Sequence, residues 1–183
     1  MRLRRLQEEL GDRLSIEWKA FPLRPVPDPS VTFKGTYREA AWKRCRTQAE
    51  PDGIVYILWS RDDYPNWSLP ALEAAKCVAL QGAEVFERLH LKLYEAFFSR
   101  GLNIANRDDL MTVVKESGAD VERFVADLES GKARAWVLQD YEEAVTRAGV
   151  RAIPTVQLDD GRRIVGLVDF AEYRRIIDGA PRG

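Results

Sequence analysis

Apolar residues recur every three or four positions through most of this chain and alternate only near its two ends. Leu3, Leu6 and Leu10 form one stripe of MRLRRLQEEL, as a helix requires. Residues 15–21 (SIEWKAF) then alternate, with Ile16, Trp18 and Ala20 on one side, which predicts a strand. Pro22, Pro25, Pro27 and Pro29 force an extended loop after it. Helical spacing resumes over residues 36–49, with Thr36 as the N-cap. Residues 54–59 (IVYILW) are a continuous apolar run that fits either a strand or an irregular buried segment. Ser68 reads as the cap of the next helix, with Pro70 in its first turn and Leu69, Leu72, Ala75, Val78 and Ala79 along it. Further helices are predicted over 83–100, 108–116, 121–129 and 135–148, with Gly101, Gly118, Gly131 and Gly149 as stops. The chain closes with a strand (TVQL), an Asp159-Asp160-Gly161 turn, a second strand (RIVG) and an amphipathic helix (DFAEYRRII).

Strand, long helical block, helix, strand, strand, helix is an α/β order with a helical insertion. Over 183 residues, 45% apolar and 31% charged, it suits one domain with an inserted subdomain. A formal net charge of −1 gives no electrostatic case for nucleic acid or an anionic membrane. The arginines at 2, 4 and 5 precede no apolar signal segment, and no apolar run reaches spanning length. A cytoplasmic location is the expectation.

Candidate chemistry is sparse. Cys45 and Cys77 are too far apart to form a redox pair motif, and they suggest no disulfide framework. Cys77 falls in an apolar helical series and reads as a small buried hydrophobe. Cys45 lies among Lys43, Arg44 and Arg46 and reads as an incidental thiol, since charges on a helix surface are screened. His90 is the sole histidine, so no ligand set for a metal is visible. No glycine-rich phosphate loop appears, and no cofactor is implied. Asp62-Asp63 and Asp108-Asp109 read as caps and solvated charges. Trp59, Tyr64 and Trp67 read as loop packing or as the rim of an apolar groove.

The residues around Pro154 point further. A helix, then GVRAIPTVQL, a hairpin, a glycine and a terminal helix resemble the second half of a thioredoxin fold. Together with WKAFPLRP, ALEAAKCVALQG, FERLHLKLYEAFFSRGLNI and RDDLMTVVKESGADVERF, this order resembles the DsbA family, in which a helical domain is inserted into a thioredoxin fold. The likeness is nearest to its cytoplasmic FrnE-like branch. It is more distant to the kappa-class glutathione transferases and the 2-hydroxychromene-2-carboxylate isomerases. The resemblance implies a thioredoxin-like core in residues 1–35 and 133–183 and an inserted all-helical subdomain in 36–132. It implies a cis peptide bond before Pro154, with Ile153, Pro154 and Thr155 facing the substrate, and thiol–disulfide oxidoreductase activity on protein or peptide thiols and disulfides. The isomerase and transferase branches imply glutathione instead. A non-catalytic partner-binding module is the third expectation, and a homodimer is compatible with all three.

The family's Cys-x-x-Cys is not in this sequence, so its catalytic residues are unknown. The first helix begins with arginines and without a cap, opposing the macrodipole. It reads either as a frayed start or as the interior of a helix that begins upstream of Met1. On the second reading a first strand belongs between SIEWKAF and TVQL. About 15–25 upstream residues would supply it and raise the melting temperature.

Overall fold

The buried apolar clusters of the chain fall into two compact units. The computed structural model describes residues 1–179. One unit comprises Met1–Phe21 with Glu142–Gly183, the other Pro22–Tyr141.

The first unit is built on helix α1 (Arg2–Leu10), a two-stranded antiparallel hairpin and helix α8 (Phe170–Asp178). The hairpin pairs β1 (Thr155–Gln157) with β2 (Arg163–Val165), Val156 opposite Ile164. Asp160 sets its turn by accepting from the Arg162 amide (3.0 Å) and from its guanidinium (2.7 Å). One face of the hairpin packs on the helices: Leu6, Leu10, Ile164 and Tyr173 are buried together, flanked by Val156, Phe170 and Ile177. Asp169 caps α8 through the Glu172 amide (2.8 Å). No side chain caps α1 and its first turn holds no acid. Its arginines are used laterally. Arg2 donates to the Val168 carbonyl at 2.6 Å, and the Arg5 guanidinium sits 4.0 Å from the Phe170 ring centre. Such stacking recovers part of what cations lose at a helix N-terminus.

Residues 15–21 correct the sequence expectation. They keep the alternation, with Ile16, Trp18 and Ala20 turned inward and Ser15, Glu17 and Lys19 outward, but they form no strand. Among the described residues the only sheet is the β1–β2 pair. Side-chain alternation needs only an extended backbone, whereas a strand needs a regular ladder of backbone bonds.

The second unit is helical. Helix α2 (Tyr37–Ala49) starts where expected, with the Thr36 hydroxyl accepting from the Arg38 amide at 3.2 Å. Helices α3 (Leu69–Ala79), α4 (Ala83–Tyr94), α5 (Arg107–Glu116), α6 (Val121–Glu129) and α7 (Lys132–Thr146, of which Glu142–Thr146 belongs to the first unit) follow. Their stripes meet in one core: Ala74, Cys77 and Val78 of α3, Leu89 and Leu93 of α4, Leu110, Val113 and Val114 of α5, and Phe124 of α6. Burial of a large apolar side chain is worth about 1.5–3 kcal/mol, so this cluster carries the unit. Asn106 caps α5 and Asp120 caps α6 through backbone amides. Ser68 does not cap α3. Its side chain instead accepts from the Arg24 amide at 3.0 Å, tying the proline-rich loop to residues 66–68.

The α4 helix also departs from expectation. It widens into a π turn at Glu95–Ser99, where Arg100 bonds back to Glu95 at 3.0 Å. The wider turn brings both Phe97 and Phe98 onto the Trp42 ring, at 5.1 and 5.2 Å between centres. Trp42, Phe33 and Trp59 are buried there, with Tyr56 and Tyr64 partly buried against them. Trp59 and Tyr64 are therefore core packing, while Trp67 lies apart and donates to the Pro25 carbonyl at 3.1 Å. Residues 54–59 are neither a strand nor a buried segment: Val55, Ile57 and Leu58 are exposed and only Trp59 is buried. Helix α7 starts three residues earlier than its apolar spacing suggests, with Lys132 following Gly131.

Candidate functional site

The segment holding Ile153, Pro154 and Thr155 is fixed at both ends. Upstream, α7 ends at Thr146 and the chain turns at Gly149, whose φ of +60° suits glycine, while the Val150 amide reaches back to the Ala144 carbonyl at 2.8 Å. Arg163 of β2 donates to the Ala148 carbonyl beside it. A Cβ at Gly149 would lie 3.2 Å from that guanidinium, so the site resists a side chain on two counts. Downstream, the Gly166 amide donates to the Pro154 carbonyl (2.8 Å) and the Leu158 amide to the Arg162 carbonyl (2.9 Å). The Thr155 hydroxyl donates to the Ala152 carbonyl at 2.6 Å, closing a small turn over the proline. The Ile153–Pro154 peptide bond is cis.

This arrangement leaves an open edge. In an antiparallel ladder, bonded and non-bonded pairs alternate. With Pro154, Val156 and Leu158 facing β2, the backbone groups of Thr155 and Gln157 point the other way. Ile153 is 41% exposed and Pro154 is exposed beside it. On β2 and the segment after it, Val165 and Leu167 are also exposed. The three residues named from sequence thus lie together, next to an apolar surface and an unpaired strand edge. Gln157 belongs with them. The alternation of TVQL contained that signal, but only the register decides which edge is free.

Both cysteines belong to the second unit. Cys77 is in the helical core, and burial, with Asp127 and Glu73 nearby, pushes its thiol up to about 12. Cys45 is exposed on α2. Among the described residues, no group of His, Cys, Asp and Glu gathers to hold a metal. Asp63 accepts a two-pronged bond from Arg61 (2.7 Å each) and one from the Asn103 side chain, while Asp109 accepts from the Asn103 amide. These bonds, led by that to Arg61, hold the Asp63 carboxyl below its usual range. This acidic pairing holds loops together. His90 stacks on Tyr94 (5.1 Å between ring centres) and meets a tilted Phe86 ring (5.2 Å) on α4. A depression of about 450 Å³ in the first unit is lined by Gln7, Gly11, Asp12, Leu14 and Ser15, none of them a candidate.

The model of the DsbA-like thioredoxin domain family matches residues 1–178. The chain belongs to that family. A crystal structure from Nitrosomonas europaea, provisionally assigned as a protein disulfide isomerase, has the same fold. It superimposes with a TM-score of 0.72 over 97% of this chain and 86% of its own, at 16% identity. The DsbA-like thioredoxin fold with a helical insertion accounts for a mostly helical chain with a small sheet.

Among curated relatives, this DsbA-like chain is 33% identical over 111 residues to the ClpXP adapter protein SpxH of Shouchella clausii, covering 57% of this chain and 37% of that protein. It is 25% identical over 154 residues to YwbO of Bacillus subtilis, covering 82% and 74%. It is 36% identical over 132 residues to the Na(+)/H(+) antiporter NhaA of Herminiimonas arsenicoxydans, covering 72% of this chain and 20% of that one. The match thus spans well under half of the SpxH and NhaA proteins. No helix among the described residues is long and apolar enough to cross a membrane.

Proposed function

We propose that this DsbA-like domain acts on protein or peptide thiols and disulfides, and that it holds an extended stretch of substrate along Ile153, Thr155 and Gln157. We further propose that residues 1–183 bind in this way without a dithiol of their own. The open edge of β1 carries the reading: Thr155 and Gln157 offer backbone donors and acceptors to an extended chain, and Ile153 offers it an apolar contact. Strand addition to an exposed edge is a general mode of peptide capture, with main-chain bonds for affinity and side chains for selection. The rigid setting of the edge by Thr155, Gly166 and Arg163 favours binding, because little order has to be imposed on the protein.

The test is a titration of the 183-residue chain with an unstructured cysteine-containing peptide, followed by amide chemical shifts. The shifts are expected to concentrate at Ile153, Thr155 and Gln157. They should be lost in Gln157→Pro, which removes an outward amide but leaves the bonds to β2 in place. Shifts located elsewhere, or binding unaffected by Gln157→Pro, would reject this edge as the site.

A further inference from the structure

The second unit carries another exposed extended segment. Residues 54–59 run without turn or bend and contain no charge. One edge of the segment is tied down. The Ile57 amide donates to the Phe98 carbonyl (2.9 Å), the Ile57 carbonyl accepts from the Trp42 indole (2.6 Å), and the Val55 carbonyl accepts from Ser99 (2.6 Å). Successive residues of an extended chain direct their backbone groups to opposite edges. The backbone groups of Tyr56 and Leu58 therefore face away from the fold, and no described residue pairs with them. Val55 is 61% exposed, Leu58 48% and Tyr94 on the adjoining helix 47%. Tyr94 joins the patch because its ring stacks on Phe98, which in turn lies 4.4 Å from Tyr56.

An uncharged apolar edge of this kind is a template for another strand, and folded proteins seldom leave one bare. We propose that the occupant is a second copy of this chain, docked by antiparallel pairing of residues 55–59 about a twofold axis at Ile57. Self-pairing fits for two reasons. Pairing centred on Ile57 sets Tyr56 of one copy opposite Leu58 of the other, so each outward donor and acceptor meets its complement. It also places the two Ile57 side chains against each other at a non-hydrogen-bonded pair, where cross-strand side chains approach most closely. The contact is isologous and closes at two copies, so it yields a dimer and no fibre. The absence of charge in the segment removes the like-charge repulsion that normally guards an edge.

Sedimentation velocity on the 183-residue chain tests this directly. With rising concentration the mass should move from 20.9 kDa to about twice that value. Amide exchange at Tyr56 and Leu58 should slow in parallel, with no such change at Ile57, whose amide is already bonded within the copy. Leu58→Pro deletes one outward amide, and Val55→Lys adds a charge to the shared face. Both are expected to hold the chain at 20.9 kDa with an unchanged circular dichroism spectrum. Val55→Lys lies on an exposed position, so it remains informative if the proline variant misfolds. A chain that stays monomeric at every concentration overturns the proposal. So does a dimer that survives Val55→Lys with Tyr56 and Leu58 still exchanging freely.

Discussion

Gly166 closes the hairpin onto Pro154: its amide donates to the proline carbonyl at 2.8 Å, while its own φ is +83°. The bond consumes the inward edge of the loop and so helps decide that Thr155 and Gln157 face outward. Space is not limiting at Gly166, since a Cβ there would meet nothing within 4 Å. The cost of a side chain is therefore conformational. Gly166→Ala is expected to lower stability by about 1–2 kcal/mol, the penalty for an L residue at positive φ. Urea denaturation of the two proteins measures it. No change in midpoint would show that the hairpin can relax its turn freely.

Cys77 gives a pH signature. Its thiol is raised by burial to about 12 from an ordinary value of 9.0. Between those values the folded chain keeps a proton that the unfolded chain has released. Stabilisation from the neutral thiol is complete below about pH 9 and falls as pH climbs towards 12. Tyr56, Tyr64 and Tyr173 are shifted upward too, chiefly by desolvation, so the measurement must be differential. Denaturation midpoints of the chain and of Cys77→Ala should converge as pH rises through this window. Parallel curves would contradict the burial argument. In native buffer a thiol reagent should modify Cys45 alone, and Cys77 only after unfolding.

Lys76 and Asp140 pair at 2.5 Å, with side chains 24% and 8% exposed. Removing the acid leaves a largely buried ammonium without its partner. Asp140→Ala should cost about 3 kcal/mol, the low end for breaking a buried pair because Lys76 keeps some solvent. Lys76→Met combined with Asp140→Leu should recover most of that loss, since no charge is then stranded. A double variant as unstable as the single one would mean that packing, and not charge, dominates this site.

Disulfide exchange requires an attacking thiolate and a second thiol to resolve the mixed disulfide. Cys77 is buried and protonated at neutral pH, while Cys45 is exposed on another helix. The 183-residue chain is therefore expected to show no insulin-reduction or dithiol-oxidase activity. Turnover that vanishes in Cys45→Ser would overturn this expectation.

Much of the molecule was written in local patterns. Helices such as α2, α5 and α6 begin at Thr36, Asn106 and Asp120, where a side-chain oxygen takes an amide two or three residues on. Their apolar stripes meet in one core, and both capping and periodicity operate within a few residues. The order of these elements, with Ile153, Pro154 and Thr155 ahead of a hairpin, carried the family likeness, and the family match bears that likeness out.

What sequence could not decide depends on partners distant along the chain. Residues 15–21 alternate as a strand does, but a strand also needs a regular ladder, and among the described residues the only such ladder joins β1 and β2. Ser68 is a natural cap whose oxygen goes instead to the Arg24 amide of a distant loop. Whether Phe97 and Phe98 could both reach Trp42 depended on a π turn, and IVYILW keeps an open backbone edge because Phe98, Ser99 and Trp42 bond only one of its edges. Hydrogen-bond competition and edge direction are properties of the assembled backbone. Tertiary structure therefore chose which edges stay open, at Thr155 and Gln157 and again at Tyr56 and Leu58.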